Sequence, residues 1–381
     1  MFARIAALLG LLALLAPTSF AAPVPGDFNG DGTVGLDDLT YFLQQFLSFR
    51  HGGVWDSATN LDGTGSLDRN DARMMIEAYL NSASSAAPIA FFSDRAGGVG
   101  ARDVGLYNVQ THALAALPGL NSTSNDYGPR LSPDGRYLVF TSNRPGGPGS
   151  LDVYLYDLNT SSFVGLPNLN SSTYDYNASL TTNAALIVFG SNRSGGVGSY
   201  DIYLYERSSG TYLSLPGINS DSQDLQPYIT PDGRYIVFNS NRSGGSGDYD
   251  IYMYDRNAGA LVSLPGLNSS AIDWTASITG DGDLVAFSSN RAGGSGGYDI
   301  YLYRRSDSSF VALPGLNSAS DEVDPQISPD GRYITFIANG RAGGVGGSDV
   351  YLYDRNTGLL VALPGLNSTS DAQLDQAFSF G

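Results

Sequence analysis

Arg234-Tyr235-Ile236-Val237-Phe238, followed beyond a glycine-rich stretch by Asp250-Ile251-Tyr252-Met253-Tyr254, is where the fold can be read. Each run is short, rich in β-branched and aromatic residues, and bounded by Gly, Asn and Asp, as expected of strands separated by turns. The pair of runs recurs along the chain. The arginine after the first run stands at Arg95, Arg144, Arg193, Arg242, Arg291 and Arg341, and the aspartate opening the second at Asp103, Asp152, Asp201, Asp250, Asp299 and Asp349. The step is 49 residues four times and 50 once, so residues 88–381 hold six repeats.

Each repeat reads as four short antiparallel strands. Such a unit cannot bury both faces alone, and a period of this length favours copies stacked in a ring, a β-propeller. The ends of the repeat region fix the count. The first unit begins with a second strand, residues 89–93, whereas the last residues, Ala377-Phe378-Ser379-Phe380, read as an inner strand with no blade after it. An all-β six-bladed propeller whose C-terminal strand completes the first blade leaves no open edge. Ser132-Pro133-Asp134-Gly135-Arg136-Tyr137, with Phe140-Thr141-Ser142-Asn143-Arg144 and Asp152-Val153-Tyr154, resembles the TolB-type propeller repeat over nearly all of residues 88–381. The resemblance implies the fold. That family spans periplasmic scaffold and binding proteins, domains beside hydrolases and some lyases, so a function does not follow from it.

Upstream, Arg4, the apolar run 5–16 and Ser19-Phe20-Ala21 read as an export signal over residues 1–21, cleaved after Ala21. The apolar run is too short to span a bilayer, and no later stretch reaches about 20 apolar residues. The expected location is secreted, extracellular or periplasmic. The chain has no cysteine, so packing, alone or with metal, must stabilise it without disulfides.

After the signal, Asp27, Asn29, Asp31, Thr33 and Asp38 fall at loop positions one, three, five, seven and twelve of an EF-hand-like calcium loop, with Gly32 at the sharp turn. An apolar stripe, Leu39, Phe42, Leu43, Phe46 and Leu47, follows at helical spacing. A second copy, poorer in carboxylates, places Asn60, Asp62, Thr64, Ser66 and Asp71 at the same positions. The duplicated loop and helix resembles a type I dockerin over residues 26–81, a small α-helical module. The resemblance implies two Ca2+ sites, the second weaker, held by Asp27, Asn29, Asp31 and Asp38 and by Asn60, Asp62, Thr64 and Asp71. It further implies a cohesin-type partner met through Leu36, Asp37, Arg69 and Asn70. Gly35 departs from the family's usual Asn or Asp. Residues 82–87 read as a linker.

The formal charge is −17, and every basic residue is arginine. Such a chain repels phosphate backbones and anionic membranes, which excludes nucleic acid as a natural partner. Positions shared by every blade are expected to serve the fold. The Pro-Asp-Gly turns at Asp134, Asp232 and Asp330 suit tight turns. The recurrent Arg and third-strand Asp suggest charge pairing or, alternatively, a ring of cation sites.

Blade-specific residues concentrate just before and within the inner strand: Tyr127, Tyr176, Asn177, Gln226, Tyr228, Trp274, Asp324 and Asp375. Propeller topology puts that connection and the glycine-rich loop on one end of the ring. Aromatic rings there can stack on a sugar or peptide side chain while Asn177, Gln226, Asp324 and Asp375 supply polar contacts. The leading expectation is a secreted, non-catalytic, monomeric propeller that binds a glycan or protein on its long-loop face. The alternatives are a propeller-fold lyase or glycosidase, or a surface-layer spacer. A metal lyase would want clustered histidines, whereas His51 and His112 stand in different regions. A glycosidase pair could be built from Glu322 with Asp324 or Asp375.

Overall fold

The computed structural model describes residues 88–369, the strand Gln376–Phe380, and Phe28, Asp38, Tyr41, Phe42, Gln45 and Asp71. The expected export signal, the linker and most of the paired calcium loops lie outside the described residues. So do Asp375 and the loop ligands Asp27, Asn29, Asp31, Thr33, Asn60, Asp62, Thr64 and Ser66. The chain divides into two units, residues 1–86 and 87–381.

The second unit consists of six four-stranded antiparallel sheets. In the second blade the strands run Asp126–Leu131, Tyr137–Ser142, Asp152–Asp157 and Ser162–Val164 from the axis outward, and the next four blades repeat this order. The first blade is assembled from both ends of the repeat region. Gln376–Phe380 pairs with Ile89–Ser93, which pairs with Asp103–Asn108. The closure expected from the sequence is therefore present. The inner strands neighbour one another around the whole ring.

The core is divided into six apolar clusters, each between adjacent blades. Each second strand contributes a fully buried phenylalanine, from Phe91 and Phe140 to Phe287 and Phe336. Each third strand contributes a buried tyrosine whose hydroxyl donates to a proline carbonyl of the preceding blade. Tyr156 reaches Pro118 at 2.7 Å, Tyr205 reaches Pro167 at 2.8 Å, and Tyr107 closes the circle on Pro364 at 3.0 Å. A satisfied buried hydroxyl adds about 1 kcal/mol. The recurrent Leu-Pro-Gly-Leu-Asn segment thus staples neighbouring blades. Its asparagine also makes two hydrogen bonds to the third-strand backbone of its own blade, as Asn170 does with Val153 at 2.8 and 2.9 Å.

Charge pairing is present, but its partner differs from the one the sequence suggested. Arg144, Arg193, Arg242 and Arg291 pair with the first residue of their own inner strand, Asp126, Asp175, Asp224 and Asp273, at 2.5–2.7 Å. In the sixth blade Arg341 pairs with Glu322 at 3.2 Å. The third-strand aspartates instead accept backbone N–H groups of the glycine-rich loop. Asp250 takes Ser246 N at 2.6 Å and Gly247 N at 3.3 Å. Glycine is required here: a Cβ at Gly245 would lie 2.0 Å from the Asp250 carboxylate. Among the described residues no group of three or more His, Asp or Glu side chains is gathered closely enough to hold a metal, and no helix is long and apolar enough to cross a membrane.

Candidate functional site

The inner strands do not run as regular β. In each of the five described throughout, the register slips across the middle of the strand, between the second and fifth residues in four of them, as between Trp274 and Ser277, and between Val323 and Gln326 in the last. The residue inside the bulge takes a left-handed backbone: Gly128, Asn177, Gln226, Thr275 and Asp324, with φ between 45° and 52°. Only glycine adopts this region freely, and for β-branched Thr275 it is strained. A bulge re-aims its side chain, and here five strands do so at one level. The Thr275 hydroxyl donates to Asp324 Oδ1 at 2.8 Å and lies 3.3 Å from Gln226 Oε1. A Cβ at Gly128 would stand 3.9 Å from Asn177 Oδ1. Among the described residues the result is an arc of polar side chains beside the channel, Asn177, Gln226, Thr275 and Asp324, to which Gly128 adds none.

One layer deeper the inner strands contribute Arg130, Ser179, Tyr228, Ser277 and Gln326, large and small in alternation. The serines cap backbone N–H groups of the next blade, Ile229 on Ser179 at 3.3 Å and Ile327 on Ser277 at 3.0 Å. Arg130 crosses the channel. Its guanidinium lies 5.0 Å from the Tyr228 ring centroid and donates to Pro227 O at 3.2 Å. Arg130 is 3 % exposed, so the stack obstructs the channel at this depth. Burial outweighs the nearby Tyr228 and Asp324 and lowers the Arg130 guanidinium to about 10. The same stack puts Tyr228 below the mouth.

Above the arc stands the aromatic rim, on the face that carries the glycine-rich loops. Isolated bridges join the residue before a third strand to the residue before the next blade's inner strand, at Arg102–Asn125, Leu151–Tyr174 and Tyr200–Gln223. Both connections therefore share one end of the propeller, as the sequence required. Tyr176 meets Tyr200 edge-on at 5.7 Å, and Trp274 meets Tyr249 edge-on at 4.6 Å. Tyr127 packs on Phe92 at 6.0 Å, with the Arg102 guanidinium 5.5 Å from its ring. All three predicted rim aromatics are partly exposed. Burial, with Tyr200 and Tyr249 nearby, raises the Tyr176 hydroxyl above the ordinary phenol range, so it stays a neutral donor. Sequence comparison missed Tyr200 and Tyr249. With Tyr298 they stand just before the third strand, at a position that holds Arg102, Leu151 and Ser348 in the other blades and so varies as the rim positions do.

The two carboxylates proposed as a catalytic pair are differently engaged. Glu322 is buried, paired with Arg341 and bonded by Ser318 N at 2.9 Å, the role aspartate fills in sister blades. Asp324 belongs to the arc, where burial is the largest influence and raises its carboxyl, with Thr275 and Arg130 acting in the opposite sense. Between its unfolded and folded values, therefore, the folded chain holds a proton at Asp324 that the unfolded chain releases. The associated stability is full below about pH 4 and is lost as pH rises through the folded value. Asp324→Asn cannot ionise, so its stability should gain on that of the native protein as pH rises from 4, by at most about 1.4 kcal/mol per pH unit. Urea unfolding of both proteins between about pH 4 and 8 measures this, and a constant difference would refute it.

In the first unit, Asp38 and Asp71, the twelfth residues of the two calcium-type loops, are both buried, and Asp38 Oδ1 accepts the Phe28 N–H at 2.6 Å. Phe28 stacks on Phe42 at 6.5 Å. A buried carboxylate requires compensation by hydrogen bonds or a cation, and these two positions fit a calcium loop in that respect.

No protein-family model and no curated protein matches the sequence. Solved structures do. TolB from Acinetobacter baumannii superposes with a TM-score of 0.60 at 16 % identity, covering 82 % of this chain and 72 % of that one. A TolB-type protein of Agrobacterium tumefaciens gives 0.53 at 20 %, covering 77 % and 93 %. Kuenenia stuttgartiensis hydrazine synthase gives 0.52 at 15 %, covering 77 % of this chain and 46 % of that one. The likeness establishes a TolB-like six-bladed propeller fold. Neighbours this different in chemistry show why the fold leaves function to the site.

Proposed function

We propose that this chain is an exported, non-catalytic binding or scaffold protein whose propeller takes a glycan or protein ligand on its long-loop face. The carrying observation is the rim: Tyr127, Tyr176, Tyr200, Tyr249 and Trp274 stand partly exposed over the polar arc, and the Arg130–Tyr228 stack obstructs the channel beneath. A ligand then rests on the face, with aromatic surfaces for stacking and Asn177, Gln226 and Asp324 for hydrogen bonds. The engagement of Glu322 with Arg341 disfavours its use as a catalytic acid. The charge of −17 favours neutral or cationic ligands over polyanions.

In this reading the first unit is the tether: a dockerin-like module that two calcium ions would order through Asp38, Asp71 and the other loop ligands, for a cohesin-type partner. Calcium would supply charge compensation for those carboxylates.

A glycan array and a pull-down of extracellular proteins, each with calcium and with chelator, identify the ligand and the tether separately. Trp274→Ala should then weaken the propeller ligand by tenfold or more, as loss of a stacking aromatic does, with the unfolding midpoint unchanged. Undiminished binding by that variant would remove the channel mouth as the site.

A further inference from the structure

Five blades share a device that the first lacks. A third-strand tyrosine lies opposite the second-strand phenylalanine and stacks on it: Tyr154 on Phe140, Tyr203 on Phe189, Tyr252 on Phe238, Tyr301 on Phe287 and Tyr351 on Phe336, at 5.5–6.0 Å. The recurrent arginine carbon sits 4.6–5.3 Å from each tyrosine ring centroid. The tyrosine hydroxyl ends beside the third-strand aspartate. A Cβ at Gly147 would stand 1.9 Å from Asp152 Oδ2 and 2.8 Å from the Tyr154 hydroxyl.

In the first blade the residue opposite Phe91 is Gly105. Arg95 still lies over Phe91, at 4.8 Å, and Asp103 still accepts the loop N–H of Val99 at 2.8 Å. Phe91 leans over the glycine, so that a Cβ there would be 2.3 Å from its Cζ. Even so, a cleft of about 280 Å³ opens, lined by Phe91, Arg95, Asp103, Gly105 and Leu114 among others. Its flanks are apolar and in water, Val99 at 61 % and Leu114 at 47 % exposure.

We propose that this cleft receives a tyrosine side chain from a partner polypeptide. The sister blades display the occupant: a ring against phenylalanine and arginine, with its hydroxyl toward a carboxylate. The cleft is complementary to it, offering Arg95 to the ring face, with Asp103, which accepts the Val99 and Gly100 N–H groups, near where the hydroxyl would end. Exposed Val99 and Leu114 extend the contact to the chain bearing that tyrosine, which favours a polypeptide over a free phenol. The site is separate from the channel mouth and does not depend on it.

The test uses the full mature chain and follows backbone amide resonances during titration with 4-methylphenol, the tyrosine side-chain analogue, and with a short tyrosine-centred peptide. Shifts are expected at Gly97, Gly98 and Gly105, with the peptide binding at least tenfold more tightly. Gly105→Tyr, which fills the cleft from within, should abolish them. Leu114→Asp, a change at an exposed position, should weaken the peptide while preserving the fold, and serves if the first variant does not fold. Trp274→Ala should leave both titrations unchanged. Absence of shifts at about 10 mM probe, shifts that persist in Gly105→Tyr, or a peptide no tighter than 4-methylphenol would each overturn the proposal.

Discussion

A chain ending at residue 369 should lose the cooperative fold of the propeller. That truncation removes Gln376–Phe380, the inner strand of the first blade, and leaves Ile89–Ser93 with an unpaired edge facing the axis. Ile89, Ala90 and Phe91 are at most 1 % exposed in the closed ring and would lose their inner flank. An unpaired apolar edge is also a template for association. The loss should be about 5 kcal/mol or more, comparable with the whole stability of an ordinary domain. The truncated chain should unfold at a much lower urea concentration and elute as oligomers. A synthetic peptide of residues 370–381 added in trans should restore part of the midpoint by strand addition. An unchanged midpoint in the truncated protein would mean that the closure carries no stability.

The second large effect is expected at the recurrent ion pair. Asp224 has a fully buried side chain, and Arg242 donates to it at 2.5 Å while also donating to Ile218 O at 2.6 Å. Arg242→Ala leaves a buried carboxylate with Ser220 as its remaining hydrogen-bond donor and exposes Phe238 and Tyr252, whose rings the guanidinium covers. Breaking such a pair from one side costs about 3–5 kcal/mol. Arg136→Ala is the control: Arg136 pairs with Asp157 at 2.8 Å, but its side chain is 45 % exposed, and the change should leave the midpoint nearly unmoved. Equal midpoint shifts for the two variants would show that burial does not set the strength of these pairs.

The two substitutions illustrate how far the sequence could be read. Arg242 recurs in every blade, and its constancy pointed to charge pairing ahead of a ring of cation sites. Its partner was not legible. Asp250 lies eight residues away and Asp224 eighteen, and separation along the chain does not say which carboxylate faces the guanidinium. Strand pairing decides it: Asp224 lies opposite Ser240 at the end of the second strand, while the glycine loop folds its own N–H groups onto Asp250. The rim was partly legible, because Tyr127, Tyr176 and Trp274 differ among otherwise repeated blades. Tyr200 and Tyr249 also differ between blades, but they stand before the third strand, and only the fold brings that position against the inner-strand aromatics.

The sequence by itself determined the number of blades, the closure of the ring by its two ends and the end of the propeller where blade-specific residues collect. These follow from period and strand alternation, which are properties of the chain. Tertiary structure alone decided that a bulge turns Asn177, Gln226, Thr275 and Asp324 toward one another, that Arg130 and Tyr228 obstruct the channel, and that Gly105 opens a cleft. Each depends on residues about one or two repeats apart meeting in space, or on a side chain missing opposite a ring. A one-dimensional pattern carries no distance across the axis and shows an absent side chain only as one more glycine.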